Sequence, residues 1–100
     1  MNPGAGANNP IKSYIIMKVY VVTSQVIYDY EDYVNPVRVF ANRKDASSLL
    51  RELRKEYKRE YVKEDGWEIA YDNKDGFEYG MEGEYSRNSC YASITECEVE

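Results

Sequence analysis

Between Arg43 and Lys63, apolar side chains recur at Ala46, Leu49, Leu50, Leu53, Tyr57 and Tyr61. That spacing puts all six on one stripe of an α-helix. The stripe constrains everything else, because a lone amphipathic helix must bury it against some other element. Asn42, followed three residues on by Asp45, marks the start as an N-cap with a first-turn acid, and Gly66 marks the end. On the opposite side, Arg51, Arg54, Lys55, Lys58, Arg59 and Lys63 interleave with Glu52, Glu56 and Glu60. Pairs such as Glu52 with Lys55 make this a solubilising face rather than one that grips phosphate.

The flanking segments have the period of strands. Tyr14 to Thr23 is almost continuously apolar and β-branched, as a central strand covered on both faces would be. "MKVYVV" from Met17 reads as a natural start, although Tyr14, Ile15 and Ile16 continue the strand pattern backwards. Residues 1–10 form a predicted disordered arm, and residues 11–100 a single domain. Asn35-Pro36 marks a bend or an edge position, and "VRVFA" (37–41) a second strand.

After Gly66 the chain alternates with period two. Trp67, Ile69 and Tyr71 oppose Glu68, Ala70 and Asp72. Phe77, Tyr79, Met81 and Tyr85 oppose Glu78, Gly80, Glu82 and Glu84. Tyr91, Ser93, Thr95, Cys97 and Val99 oppose Ala92, Ile94, Glu96, Glu98 and Glu100. "DNKDG" (72–76) and "SRNS" (86–89) supply turns.

The predicted architecture is α+β, in the order ββαβββ, with a five-stranded, mainly antiparallel sheet and the helix on one face. Leu49, Leu50 and Leu53 should meet Trp67, Ile69 and Phe77. Glu68, Asp72, Glu78, Glu82, Glu84, Glu96 and Glu98 share one strand phase, which predicts a common acidic face turned away from the helix.

Composition narrows the chemistry. The chain has no histidine, which removes the commonest general base, the Ser-His and Cys-His pairs and the usual zinc ligand. Cys90 and Cys97 are its only cysteines, too few for a four-cysteine metal site, and they read as reduced thiols rather than a disulfide. "YDNKDGFEYGME" brushes against an EF-hand loop, but Tyr71 occupies the position that demands an oxygen ligand and the flanks alternate like strands. No metal or other cofactor and no catalytic residue is expected.

Net charge is −5, distributed unevenly. Residues 43–63 carry eight basic and four acidic side chains, and residues 64–100 carry two basic and eleven acidic ones. The overall acidity argues against direct nucleic-acid binding. No apolar run approaches the ~18 residues of a membrane span, and the N-terminus lacks a basic-then-apolar leader pattern.

"VIYDYEDYV" (26–34) sets three tyrosines among three acids. Period two predicts Tyr28 and Tyr30 on one strand face and Asp29 and Glu31 on the other, with Asp32 beyond. At least one tyrosine should reach the edge of the core. Phenolic rings beside carboxylates suit a partner rich in Arg or Lys.

"MKVYVVTS", the spaced "YDY" and "VFANRKDA" together resemble a group of short proteins from bacteriophages and mobile elements of gut bacteria. In that group a Lys-Val-Tyr-Val-Val-Thr strand precedes a Tyr-rich turn, and a Val-Phe strand leads into a helix with an early alanine. The similarity spans Met17 to Leu53 and includes no catalytic residue. This chain has "QVIYDYEDYVNPV" where the group has a shorter turn with Gly and Ser. The resemblance implies a phage or mobile-element context, hence the cytoplasm of a bacterial host.

The function expected from these readings is non-enzymatic: occupation of a basic surface on a partner protein, such as a nucleic-acid-binding host protein. A host-defence inhibitor, for instance an anti-CRISPR protein mimicking nucleic acid, is one concrete form. The alternative is a structural module that self-associates through its uncovered sheet or edge strand, for example as a homodimer.

Overall fold

The computed structural model describes residues 17–81 and 88–99. The predicted arm at 1–10, the backward extension through Tyr14–Ile16, and Glu82, Glu84, Tyr85 and Glu100 lie outside the described residues.

The elements run in order β1 (Met17–Tyr28), β2 (Glu31–Val34), β3 (Arg38–Phe40), α1 (Arg43–Tyr57) continued by a π-helical segment (Lys58–Glu64), β4 (Glu68–Asn73), β5 (Gly76–Gly80) and β6 (Ser89–Val99). This is the expected α+β fold, with one helical element on an open antiparallel sheet. β1 pairs along its length with β6, from Met17 opposite Val99 to Ile27 opposite Ser89. β5 and then β4 extend the sheet beyond β6, and β2 and β3 pair with the other side of β1. Six strands thus fill five lanes, because β2 and β3 lie along one edge of β1.

The split edge has a local cause. Asn35 separates the two short strands, its N–H donating to the Ser24 carbonyl (3.2 Å) and its Nδ2 to Ser24 Oγ and Tyr57 Oη (both 2.8 Å). Pro36 has no N–H to continue the ladder. β1 also runs past Thr23, where the continuous apolar pattern ends, and takes in the first residues of "VIYDYEDYV". It ends at Tyr28, and Asp29 and Tyr30 form a two-residue hairpin turn with φ of 53° and 69°. Both values are positive, as in the I′ turns that match strand twist.

The helix starts as predicted, with Asn42 Oδ1 accepting the Asp45 N–H at 2.9 Å. Ala46, Leu50 and Tyr57 are buried, while Leu49, Leu53 and Tyr61 pack at the margin. They meet Val22 and Val26 of β1, Phe77 and Tyr79 of β5, and Cys90, Ala92 and Ile94 of β6. Each of the larger side chains gains about 1.5–3 kcal/mol from this burial. Gly76 is required where β5 crosses β6, since a Cβ there would sit 2.7 Å from the Ala92 carbonyl oxygen. Ile69 departs from the predicted core. It is 50% exposed on edge strand β4, while Trp67 and Phe77 are buried as expected.

Candidate interaction surface

At the hairpin end of the sheet, β1, β2 and the last helical turns converge. Residues opposite one another in an antiparallel pair share a face. Tyr28 is opposite Glu31 and Val26 opposite Tyr33, so Tyr28, Glu31 and Tyr33 lie on the helix side. Ile27 opposite Asp32 puts Asp32 on the other side. This corrects the expected segregation of tyrosines from acids. Tyr30 and Asp29 occupy the turn rather than a strand, and Tyr28 shares its face with Glu31.

The Tyr28 ring stacks on Trp67 (5.8 Å between centroids), and Trp67 stacks on Tyr61 at 4.5 Å. Trp67 reaches this position because Gly66, at φ 76°, turns the chain back after the helix. Its N–H then donates to the Tyr61 carbonyl at 2.8 Å. Tyr57 meets Tyr61 and Phe77 edge-on, both at 5.8 Å, so the aromatic layer continues into the core. Burial pushes the Tyr61 phenol up to about 12, which keeps it a neutral donor at any physiological pH. The Asp29 N–H donates to Asn88 Oδ1 (2.8 Å), tying the turn to the start of β6.

Beside this layer, Tyr28, Tyr33, Asn35, Glu56 and Tyr61 line a groove of about 340 Å³. Tyr33 Oη donates to Glu31 Oε2 at 3.1 Å, a contact that raises the phenol's pKa. Tyr30 is 66% exposed at the tip. The arrangement offers aromatic faces, phenol oxygens and carboxylates to a guanidinium or ammonium group. Tyr33, Asn35, Glu56, Tyr61 and Trp67 were not picked out as site residues from the sequence. The signal was there in the continuation of the helical stripe from Tyr57 to Tyr61, followed at once by Gly66-Trp67.

The predicted common acidic face does not form. Glu68 is opposite Gly80 and Glu78 opposite Tyr91, which places both on the side away from the helix. Asp72 is opposite Phe77, and Glu96 and Glu98 are opposite Tyr20 and Lys18, which places all three on the helix side. A β-bulge between Ile69 and Tyr71 inserts one residue and reverses the phase between Glu68 and Asp72. In β6 the phase facing the helix is Cys90, Ala92 and Ile94, which continues outward as Glu96 and Glu98.

Asp72 accepts from Arg54 Nε (2.8 Å), Lys58 Nζ (2.9 Å) and Tyr79 Oη (3.1 Å). Partial burial opposes its ionisation, but the hydrogen bonds from Lys58, Tyr79 and Arg54 outweigh that and hold its pKa below the ordinary carboxylate value. Glu96 pairs with Lys18 Nζ at 3.3 Å. Cys90 and Cys97 are free and, seven residues apart on β6, project to opposite faces, so they cannot bond to each other.

Comparison with protein-family models, with curated proteins and with solved structures returns no match. Among the described residues, no helix is long and apolar enough to cross a membrane.

Proposed function

We propose that the protein is a non-enzymatic binding module whose hairpin end engages a basic surface on a partner protein. The carrying observation is Tyr30, held two-thirds exposed on a turn whose backbone favours glycine, with Asp29, Glu31 and Asp32 around it. Tyrosine at such a position supplies large contact area with few rotamers to freeze. The neighbouring groove takes an Arg or Lys side chain, its stem against Tyr28 and Tyr61 and its head near Glu56 and the Tyr33–Glu31 pair. The phage or mobile-element context implied by the resemblance makes a bacterial cytoplasmic protein the natural target. An inhibitor of host defence, including an anti-CRISPR protein, is one concrete form. Its contact is then the hairpin end rather than a row of sheet carboxylates.

The test is retention of host proteins on immobilised protein, followed by titration of the retained partner at low and high salt. Glu31→Gln with Asp32→Asn should weaken binding tenfold or more, and high salt should do the same. Glu96→Gln with Glu98→Gln should leave it unchanged. Equal affinity for wild type and the hairpin double variant rejects this site.

A further inference from the structure

Helix α1 runs beside the interrupted edge lane, and the break between Val34 and Arg38 leaves a groove of about 350 Å³ against the helix. Asn35, Glu56 and Tyr57 divide it from the groove at the hairpin end. Small-molecule sites begin at about this size, with apolar walls and a few converging polar groups. Val22 of β1 forms the floor, and Leu49 and Leu53 form the helix wall. Leu49, Leu53 and Glu56 stand at i, i+4 and i+7, so the apolar row ends in a carboxylate. Arg38 is opposite Val22 in the strand pairing and therefore on the same face, toward the helix. A guanidinium and a carboxylate thus border one apolar hollow. Among the described residues neither belongs to an ion pair, and the Arg38 guanidinium lies over the Phe40 ring, 5.5 Å from its centroid.

The polar groups at the divide add a donor. Asn35 Nδ2 donates to Ser24 Oγ and to Tyr57 Oη, which uses both of its hydrogens. Ser24 is 6% exposed and Tyr57 4%, and a bond between their hydroxyls uses only one of the two hydroxyl hydrogens. Among the described residues the other hydrogen has no acceptor, and both side chains line the groove. A buried donor in that state favours an incoming oxygen. We infer that this groove binds a free α-amino acid with an aliphatic side chain. The ligand carboxylate meets the Arg38 fork and the spare hydroxyl hydrogen, and its ammonium meets Glu56. Its side chain lies on Val22, Leu49 and Leu53. The two charges sort the candidates. A simple carboxylate leaves Glu56 without a cation, and a simple amine leaves Arg38 without an anion, whereas a zwitterion answers both. The inference does not depend on the hairpin site, with which it shares the bordering residue Glu56.

The test is calorimetric titration of the full chain with L-leucine, with no partner protein present. Saturable binding of one leucine per chain is expected. Three analogues should each bind at least tenfold more weakly: isocaproate, which lacks the ammonium, isoamylamine, which lacks the carboxylate, and glycine, which lacks the side chain. Arg38→Gln and Glu56→Gln, both at exposed positions, should each weaken leucine binding at least tenfold while leaving the circular dichroism spectrum unchanged. Arg51→Gln, outside the groove, should leave the affinity as it is. Failure of leucine to saturate the chain up to its solubility limit overturns the proposal. So does any analogue that binds as tightly as leucine, because the two charges and the side chain would then not be recognised together. Wild-type affinity in either groove variant places the leucine elsewhere and overturns it as well.

Discussion

Tyr30 holds φ at 69°, where a non-glycine residue carries roughly 1–2 kcal/mol of local strain. Replacing it with glycine removes that strain and adds about 0.5–1 kcal/mol of chain entropy to be lost on folding. Tyr30→Gly should thus leave the protein folded by circular dichroism while weakening partner binding tenfold or more, and unchanged affinity would remove Tyr30 from the contact. Asp72 is the opposite case, a residue whose role is internal. Asp72→Asn leaves Arg54 and Lys58 without their shared carboxylate, so it should cost about 1.5–3 kcal/mol near neutral pH. Its pKa is lowered in the folded protein, so the carboxylate's contribution is full above about pH 4 and fades as pH falls through the folded value. Denaturation curves of wild type and variant should therefore converge in strong acid, and a constant gap would show that the loss is not ionic. Cys90 is 1% exposed, and burial raises its thiol to about 12. Alkylation at pH 8 should reach it only on unfolding.

In the helix, Leu50 is 1% exposed and Leu53 only partly buried. Leu50→Ala should cost about 2–5 kcal/mol, and Leu53→Ala clearly less, because Leu53 lines a second open groove with Leu49, Asn35 and Pro36 and loses less buried contact. Equal losses in urea titration would mean that the stripe is rotated from the position described. After Tyr57 the helix widens into its π-helical segment, a rare form that recurs at functional sites. Here the widened turn carries Tyr61 and Val62 against the core and sets the Tyr61 carbonyl to receive Trp67. The aromatic groove is thus built by how the helix ends as much as by the hairpin. Strand β4 shows how little it takes to redirect side chains, since its one-residue bulge sends Asp72 to the helix cations.

Across the whole molecule, the uneven charge of the chain becomes an internal match. Arg43 pairs with Asp75, and Arg54 and Lys58 with Asp72, so the basic helix meets the acidic β4–β5 hairpin. The surplus of carboxylates is left for the hairpin end, for Glu68 and Glu78 on the side away from the helix, and for Glu98 at the far end of β6. Binding at the acidic hairpin end should therefore depend on salt. Raising ionic strength from about 0.05 M to 0.5 M shortens electrostatic range severalfold and should weaken partner binding tenfold or more. Titration of the retained partner at both salt concentrations would show this, and equal affinity at the two would point to an uncharged contact.

The features legible in the sequence were those fixed by neighbours a few residues apart. Asn42 with Asp45, the stripe from Ala46 to Tyr61, the stop at Gly66 and the turn at 73–76 are set by local hydrogen bonding and by a 3.6-residue period, and all stand in the structure. An α+β fold followed from them, because one amphipathic helix had only strands to cover it. The faces of the strands were a different matter. Period two states that Glu96 and Glu98 share a side, but which side depends on pairing with Tyr20 and Lys18, far away in the chain. Nothing local marks Ala70 as the extra residue in a bulge, or Asp29-Tyr30 as a turn where glycine or asparagine would signal one. Tertiary structure decided those points because strand register is a long-range choice, and a shift of one residue exchanges every side chain between the core and the surface.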